Sequence, residues 1–167
     1  CPDCGYRNDP SWGHCYACGA SLASDKPEAA GPPVKLITSF EDRNPFDGGT
    51  VAADHATDGK RALRIDKDFA AMDAPQNWAG YDYLKADVYT DAKDPLELTV
   101  EVRDRETKDY WTRVNYTTVV PPGASTLVIP TALYVGEKSR PGRPLMREAV
   151  TRLVFALGEH PEAPLFI

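Results

Sequence analysis

The chain has no apolar run approaching the roughly 20 residues that a membrane span needs, so no segment of it reads as a transmembrane helix. It has no surplus of basic charge. Its 19 Lys and Arg stand against 25 Asp and Glu, a net charge of -6, which opposes non-specific attraction to phosphate backbones and argues against a nucleic-acid partner. The three histidines, His14, His55 and His160, match no metal or triad spacing, and no G-x-S-x-G nucleophile elbow occurs. Cysteine is absent after Cys18, which removes a free thiol nucleophile from the larger part of the chain. Glu101 and Asp87 can be imagined as an acid/base pair, but acidic residues on sheet faces are common and nothing in the pattern singles out these two. The expectation is a protein without catalytic activity. An initiator Met is also lacking, so we read the sequence as a fragment or a processed form, for which the absence of a signal peptide carries little weight.

What is present is ordinary for a soluble globular chain: 167 residues, 42% hydrophobic and 26% charged, enough for one medium domain with a small appendage. The appendage is written in the cysteines. All four lie in two C-x-x-C-G knuckles, Cys1 with Cys4 and Cys15 with Cys18. A C-x-x-C turn lets two thiolates converge on one tetrahedral ion, and the Gly that follows relieves crowding where amides turn toward the sulfurs. Two such turns fill the shell, leaving no open position for an activated water, so the expected zinc is structural. Disulfides, rubredoxin-like iron and a lipoprotein-type N-terminal Cys are the rival readings of these residues. The adjacent pairs suit a metal better than two strained bridges, and a c-type haem would need His where Gly stands. Together with Asn8 and Leu22, the knuckles make the first 22 residues resemble short bacterial zinc ribbons, which implies a stabilising or interaction module.

Residues 23–33 carry Pro27, Pro32 and Pro33 and no large apolar side chain, which reads as a semi-extended linker. From Val34 to Ile167 short alternating runs are bounded by Pro, Gly and Asp, the signature of an antiparallel sandwich. The expected strands are 35–40, 61–66, 83–90, 96–104, 110–120, 125–129, 152–157 and 164–167, with a turn at Pro121-Pro122-Gly123, a Pro-Gly loop from Glu137 to Pro144 and a short helical turn within 145–150.

Several motifs in this larger part carry a second resemblance. They are Phe40-Glu41-Asp42, Asp47-Gly48-Gly49-Thr50, the run from Asp58 to Ile65, and Trp78 followed by Gly80-Tyr81-Asp82-Tyr83-Leu84. Together they are similar to galactose-binding-like jelly rolls, a group that includes many carbohydrate-binding modules. The resemblance implies an all-β architecture, a zinc ribbon plus an antiparallel jelly-roll β-sandwich. It also implies a structural calcium ion at the sandwich edge, for which Glu41, with Asp42 as a substitute, and Asp58 offer oxygen ligands. In that family the closing strand usually runs on past an apolar pair such as Phe166-Ile167, so a truncated last strand is expected.

Sugar recognition needs flat aromatic faces beside planar polar groups. Strand phase supplies such a set. If Leu98, Val100 and Val102 point inward, then Glu101 and Arg103 point outward, and Val114 inward turns Arg113 and Asn115 out, with Trp111 beside them. The expected ligand-binding face is Tyr89, Glu101, Arg103, Trp111, Arg113 and Asn115, with Asp87 nearby. The alternative for these residues is cross-strand pairing of Arg and Glu on a solvated face. Trp78 reads as a core plug. The expected function is a non-catalytic binding protein that presents a polar and aromatic face to a glycan. The rival is a structural or assembly protein that docks another protein through the same face and the ribbon. Salt should weaken a charged protein interface more than a stacked glycan. The compartment stays open, since zinc thiolates favour reducing surroundings and sandwiches of this type are commonly exported.

Overall fold

The computed structural model describes residues 34–135, 143–158 and 161–167. The four cysteines, the expected ribbon and linker, and positions 136–142 of the expected Pro-Gly loop lie outside these residues. Within the described part the architecture is all-β, as the alternation implied. Two antiparallel sheets enclose one core. The strands are β1 (Thr50–Ala52), β2 (Ala62–Ile65), β3 (Phe69–Gln76), β4 (Tyr83–Thr90), β5 (Leu96–Asp104), β6 (Val114–Val120), β7 (Gly123–Pro130), β8 (Tyr134–Val135), β9 (Arg143–Pro144), β10 (Val150–Leu157) and β11 (Leu165–Phe166). A five-stranded sheet has the order β1-β2-β11-β4-β7, a four-stranded sheet the order β3-β10-β5-β6, and β8 and β9 form a separate pair.

Alternation decides which side chains meet across the sandwich. Leu98, Val100 and Val102 of β5, Val114 of β6 and Leu153 and Phe155 of β10 are buried against Leu63, Ile65, Val88, Leu127, Ile129 and Leu165 of the other sheet. Trp78 is buried with them, as expected of a core plug, its indole N–H donating to Gln76 Oε1 at 3.2 Å. Pro121 and Pro122 end β6, and Gly123 opens β7 at φ 81, a left-handed value that suits glycine. This turn carries the chain from one sheet to the other.

The strand expectations change at several places, and β1, β8 and β9 are short strands that were not among them. Residues 34–39 belong to no strand; Phe40 instead takes φ 62, donates its N–H to Thr38 Oγ1 at 3.1 Å, and packs its ring on Phe46. The expected strand 110–120 begins only at Val114, because Asp109 caps a 3-10 turn over Tyr110–Thr112. A strand at Phe69–Gln76 was not expected. Its Ala-rich sequence and Pro75 argue against a central strand, and β3 is an edge strand, the place in a sheet where proline is tolerated.

β11 meets β4 only at Thr90 and Tyr89. Along the rest of β4, among the described residues, β7 is the sole neighbour, and a cleft of about 340 Å³ opens between the sheets there, lined by Leu36, Phe40, Tyr83, Leu84, Phe155 and Ile167 among others.

Candidate functional site

The outer surface of the four-stranded sheet gathers most of the polar side chains that strand phase turned outward. Glu101 on β5 stands in register between Val154 of β10 and Asn115 of β6. These neighbours leave its side chain only 8% exposed, so its charge must be matched locally. It is matched twice: Arg103 Nε donates to Oε1, and Arg113 Nη1 lies 2.6 Å from Oε2. Both carboxylate oxygens are therefore engaged, each by a different guanidinium. Arg103 lies directly opposite Arg152 in the β5–β10 register, and Arg152 pairs onward with Asp73 on β3. Three cations and two carboxylates thus run across β3, β10 and β5 to Arg113, the residue just before β6.

Aromatic surface adjoins them because of the capped turn. Asp109 Oδ1 accepts the N–H groups of Trp111 at 3.0 Å and Thr112 at 3.1 Å, while Thr112 Oγ1 accepts the Asp109 N–H, a reciprocal capping box that fixes the backbone. The turn lays the Tyr110 ring over the Arg113 guanidinium, 3.7 Å from centroid to Cζ, and stands Trp111 edge-on to Tyr110 at 5.0 Å. Tyr110 and Trp111 remain 61% and 51% exposed, more apolar ring than a stability role requires. Arg113 Nε is buried without an acceptor among the described residues.

A second buried carboxylate ties this turn to the chain beyond it. Asp104, at the end of β5 and 2% exposed, accepts Arg143 Nη1 at 2.6 Å, Arg143 Nη2 at 2.8 Å, the Met146 N–H at 2.8 Å and the Glu106 N–H at 3.0 Å. Burial pushes its pKa up, but the hydrogen bonds from Arg143, the Met146 amide and Thr107, with the Arg143 charge, outweigh burial and hold it at about 2. Arg143 Nη2 also donates to Thr112 O at 3.1 Å, so one ion pair clamps the aromatic turn to β9.

Of the residues expected to form one face, Glu101, Arg103, Arg113 and Asn115 stand together, with Trp111 next to them through Tyr110. Trp111 is outward because of the capped turn and not because of strand alternation. Tyr89 does not join them. Its strand β4 belongs to the five-stranded sheet, where its ring stacks on His55 at 3.7 Å and its hydroxyl donates to Asp91 at 2.7 Å. Asp87 is on that sheet too, accepting Thr126 Oγ1 at 2.8 Å, so it forms no pair with Glu101. Alternation correctly gave outward phase at Tyr89 but contains no information on which sheet a strand joins. Tyr110, Arg152 and Asp73 were missed; an Asp two residues before Trp111, with Thr112 closing a capping box, was the available signal for the first.

Glu41 Oε1 accepts the N–H groups of Lys60 at 2.7 Å and Arg61 at 2.8 Å, and a Cβ at Gly59 would collide with it at 2.5 Å. This oxygen locks a turn. Among the described residues no group of three His, Cys, Asp or Glu is placed to hold a metal. Among the described residues no helix is long and apolar enough to cross a membrane.

The chain matches no protein-family model and no curated protein. Its fold does match solved structures. The family 11 carbohydrate-binding module of the cellulosomal cellulase Lic26A-Cel5E of Clostridium thermocellum superposes with a TM-score of 0.57 at 11% identity, over 79% of this chain and 89% of that one. The family 30 module of the cellulosomal cellulase Cel9D-Cel44B of the same organism gives 0.50 at 14% identity, over 73% and 82%. The agarase AgWH50C gives 0.55 at 8% identity, over 80% of this chain but 23% of the agarase. At these identities the likeness is one of fold, and the described sandwich has the fold of carbohydrate-binding modules.

Proposed function

We propose that the chain is a non-catalytic binding protein whose larger part holds a glycan on the outer face of the four-stranded sheet. The observation that carries this reading is the exposed Trp111 and Tyr110 set beside a rigid lattice of Glu101, Arg103 and Arg113. A sugar ring presents C–H groups that stack on an aromatic face and hydroxyls that planar polar groups orient. Pre-organisation lowers the cost of binding, and here buried ion pairs and a capping box hold the groups before any ligand arrives. The fold likeness to carbohydrate-binding modules supports the same reading. The cleft between the sheets is the weaker candidate, because the surface it exposes is mainly apolar. In the first 22 residues, Cys1, Cys4, Cys15 and Cys18 supply the four thiolates a structural zinc requires, and we assign them that role.

Trp111→Ala tests the face. Stacking of this kind adds about 1 kcal/mol or more, so retention on a glycan that the unaltered protein binds should weaken about fivefold or more. The unfolding midpoint should hardly move, since the side chain is half exposed. Affinity electrophoresis through gels cast with polysaccharides reads the first quantity and urea unfolding the second. Undiminished retention would remove Trp111 from the site.

A further inference from the structure

We infer, building on the glycan reading of this face, that its ligand carries an anionic group, a sugar carboxylate or sulfate, bound by Arg103 with Arg113 and Arg152 beside it. The first reason is the balance of donors and acceptors. Sugar hydroxyls both donate and accept, whereas carboxylates and sulfates only accept. Both oxygens of Glu101 are taken by guanidinium groups, which leaves the centre of the face rich in donors and poor in acceptors. The second reason is charge. One buried carboxylate faces two guanidinium groups, and the Asp73 that answers Arg152 is 76% exposed on an edge strand, where water weakens its hold. The chain as a whole is at -6, so this local excess of cations runs against its composition. The third is geometry. Arg103 and Arg152 are directly opposite each other in register, an unfavourable placement for like charges that a shared anion relieves. Arg103 uses its Nε on Glu101, and among the described residues its two terminal nitrogens have no partner, an arrangement that suits the paired mode in which arginine receives a planar anion.

The full chain is tested by affinity electrophoresis against a neutral β-glucan, a polyuronate, the same polyuronate after reduction of its carboxyl groups, and a sulfated galactan. Binding to an acidic polymer about tenfold tighter than to the neutral glucan is expected, from the strength of charge-assisted hydrogen bonds. Carboxyl reduction should abolish that advantage if the anion is a carboxylate, and preference for the galactan assigns it to sulfate. Arg103→Gln leaves Glu101 paired with Arg113 and should fold; it should lose the acidic preference about tenfold, while Arg103→Lys retains only part of it. Tighter or equal binding of the neutral glucan, indifferent to Arg103→Gln, overturns the inference and leaves the glycan reading standing. Acidic retention that neither Arg103→Gln nor Trp111→Ala reduces marks diffuse charge attraction and overturns it as well. Failure to bind any of the four polymers counts against both.

Discussion

Chelating zinc should unfold the first 22 residues and leave the β-sandwich standing. Structural zinc contributes roughly 10–16 kcal/mol of apparent folding free energy in small finger peptides, and about twenty residues cannot bury enough surface to fold without it. The larger part contains no cysteine and builds its core from its own two sheets. Metal analysis should therefore find one zinc per chain, and a strong chelator should make all four cysteines open to alkylation while the β signal in circular dichroism stays unchanged. A protein free of zinc, with thiols already reactive, would contradict the assignment. Loss of the β signal together with the metal would show that the two parts fold as one.

Within the sandwich the largest loss is expected at Asp104. Replacing it with Ala takes from Arg143, with a side chain 24% exposed, its closest carboxylate, leaving only Glu106 Oε2 at 3.6 Å, and deprives the Met146 and Glu106 amides of their acceptor. Breaking a buried pair from one side costs about 3–5 kcal/mol. Asn, which cannot accept a paired guanidinium at both atoms, should lose most of that as well. The pH dependence has a definite sign. The folded pKa of about 2 lies below the ordinary 3.8, so the pair's stabilisation is present above pH 3.8 and is lost as pH falls toward 2. Urea unfolding of the wild type should weaken over that interval, and Asp104→Ala should flatten this part of the dependence. Because Arg143 also holds Thr112 O, the variant should weaken glycan retention even under conditions where it remains folded. A loss below about 1 kcal/mol would mean that water replaces the clamp at little cost.

How far these features were legible in the sequence depends on what local pattern encodes. Leu98, Val100 and Val102 against Glu101 and Arg103 fixed both the existence of β5 and the outward direction of its polar residues, because the period of two is a property of the strand alone. The assignment of Tyr89 to the same face failed because joining β4 to one sheet or the other is a long-range choice. The strand at Phe69–Gln76 was hidden by weak intrinsic preference and is held by pairing with β10. The Asp104 clamp joins residues 39 apart in sequence, and no local pattern announced it. Salt dependence, offered as a way to separate glycan from protein partners, loses that power if the glycan is anionic, since both then weaken with salt.

The central claim is that the outer face of the four-stranded sheet holds the glycan, and backbone amide shifts during titration with an oligosaccharide from a retained polymer test it most directly. The account predicts that the perturbed amides cluster on Thr99 to Arg103, Tyr110 to Asn115 and Arg152 to Val154. Perturbations that instead follow Leu36 to Phe40 and Tyr83 to Ala86, around the cleft between the sheets, or that centre on Tyr89 and His55, would contradict it.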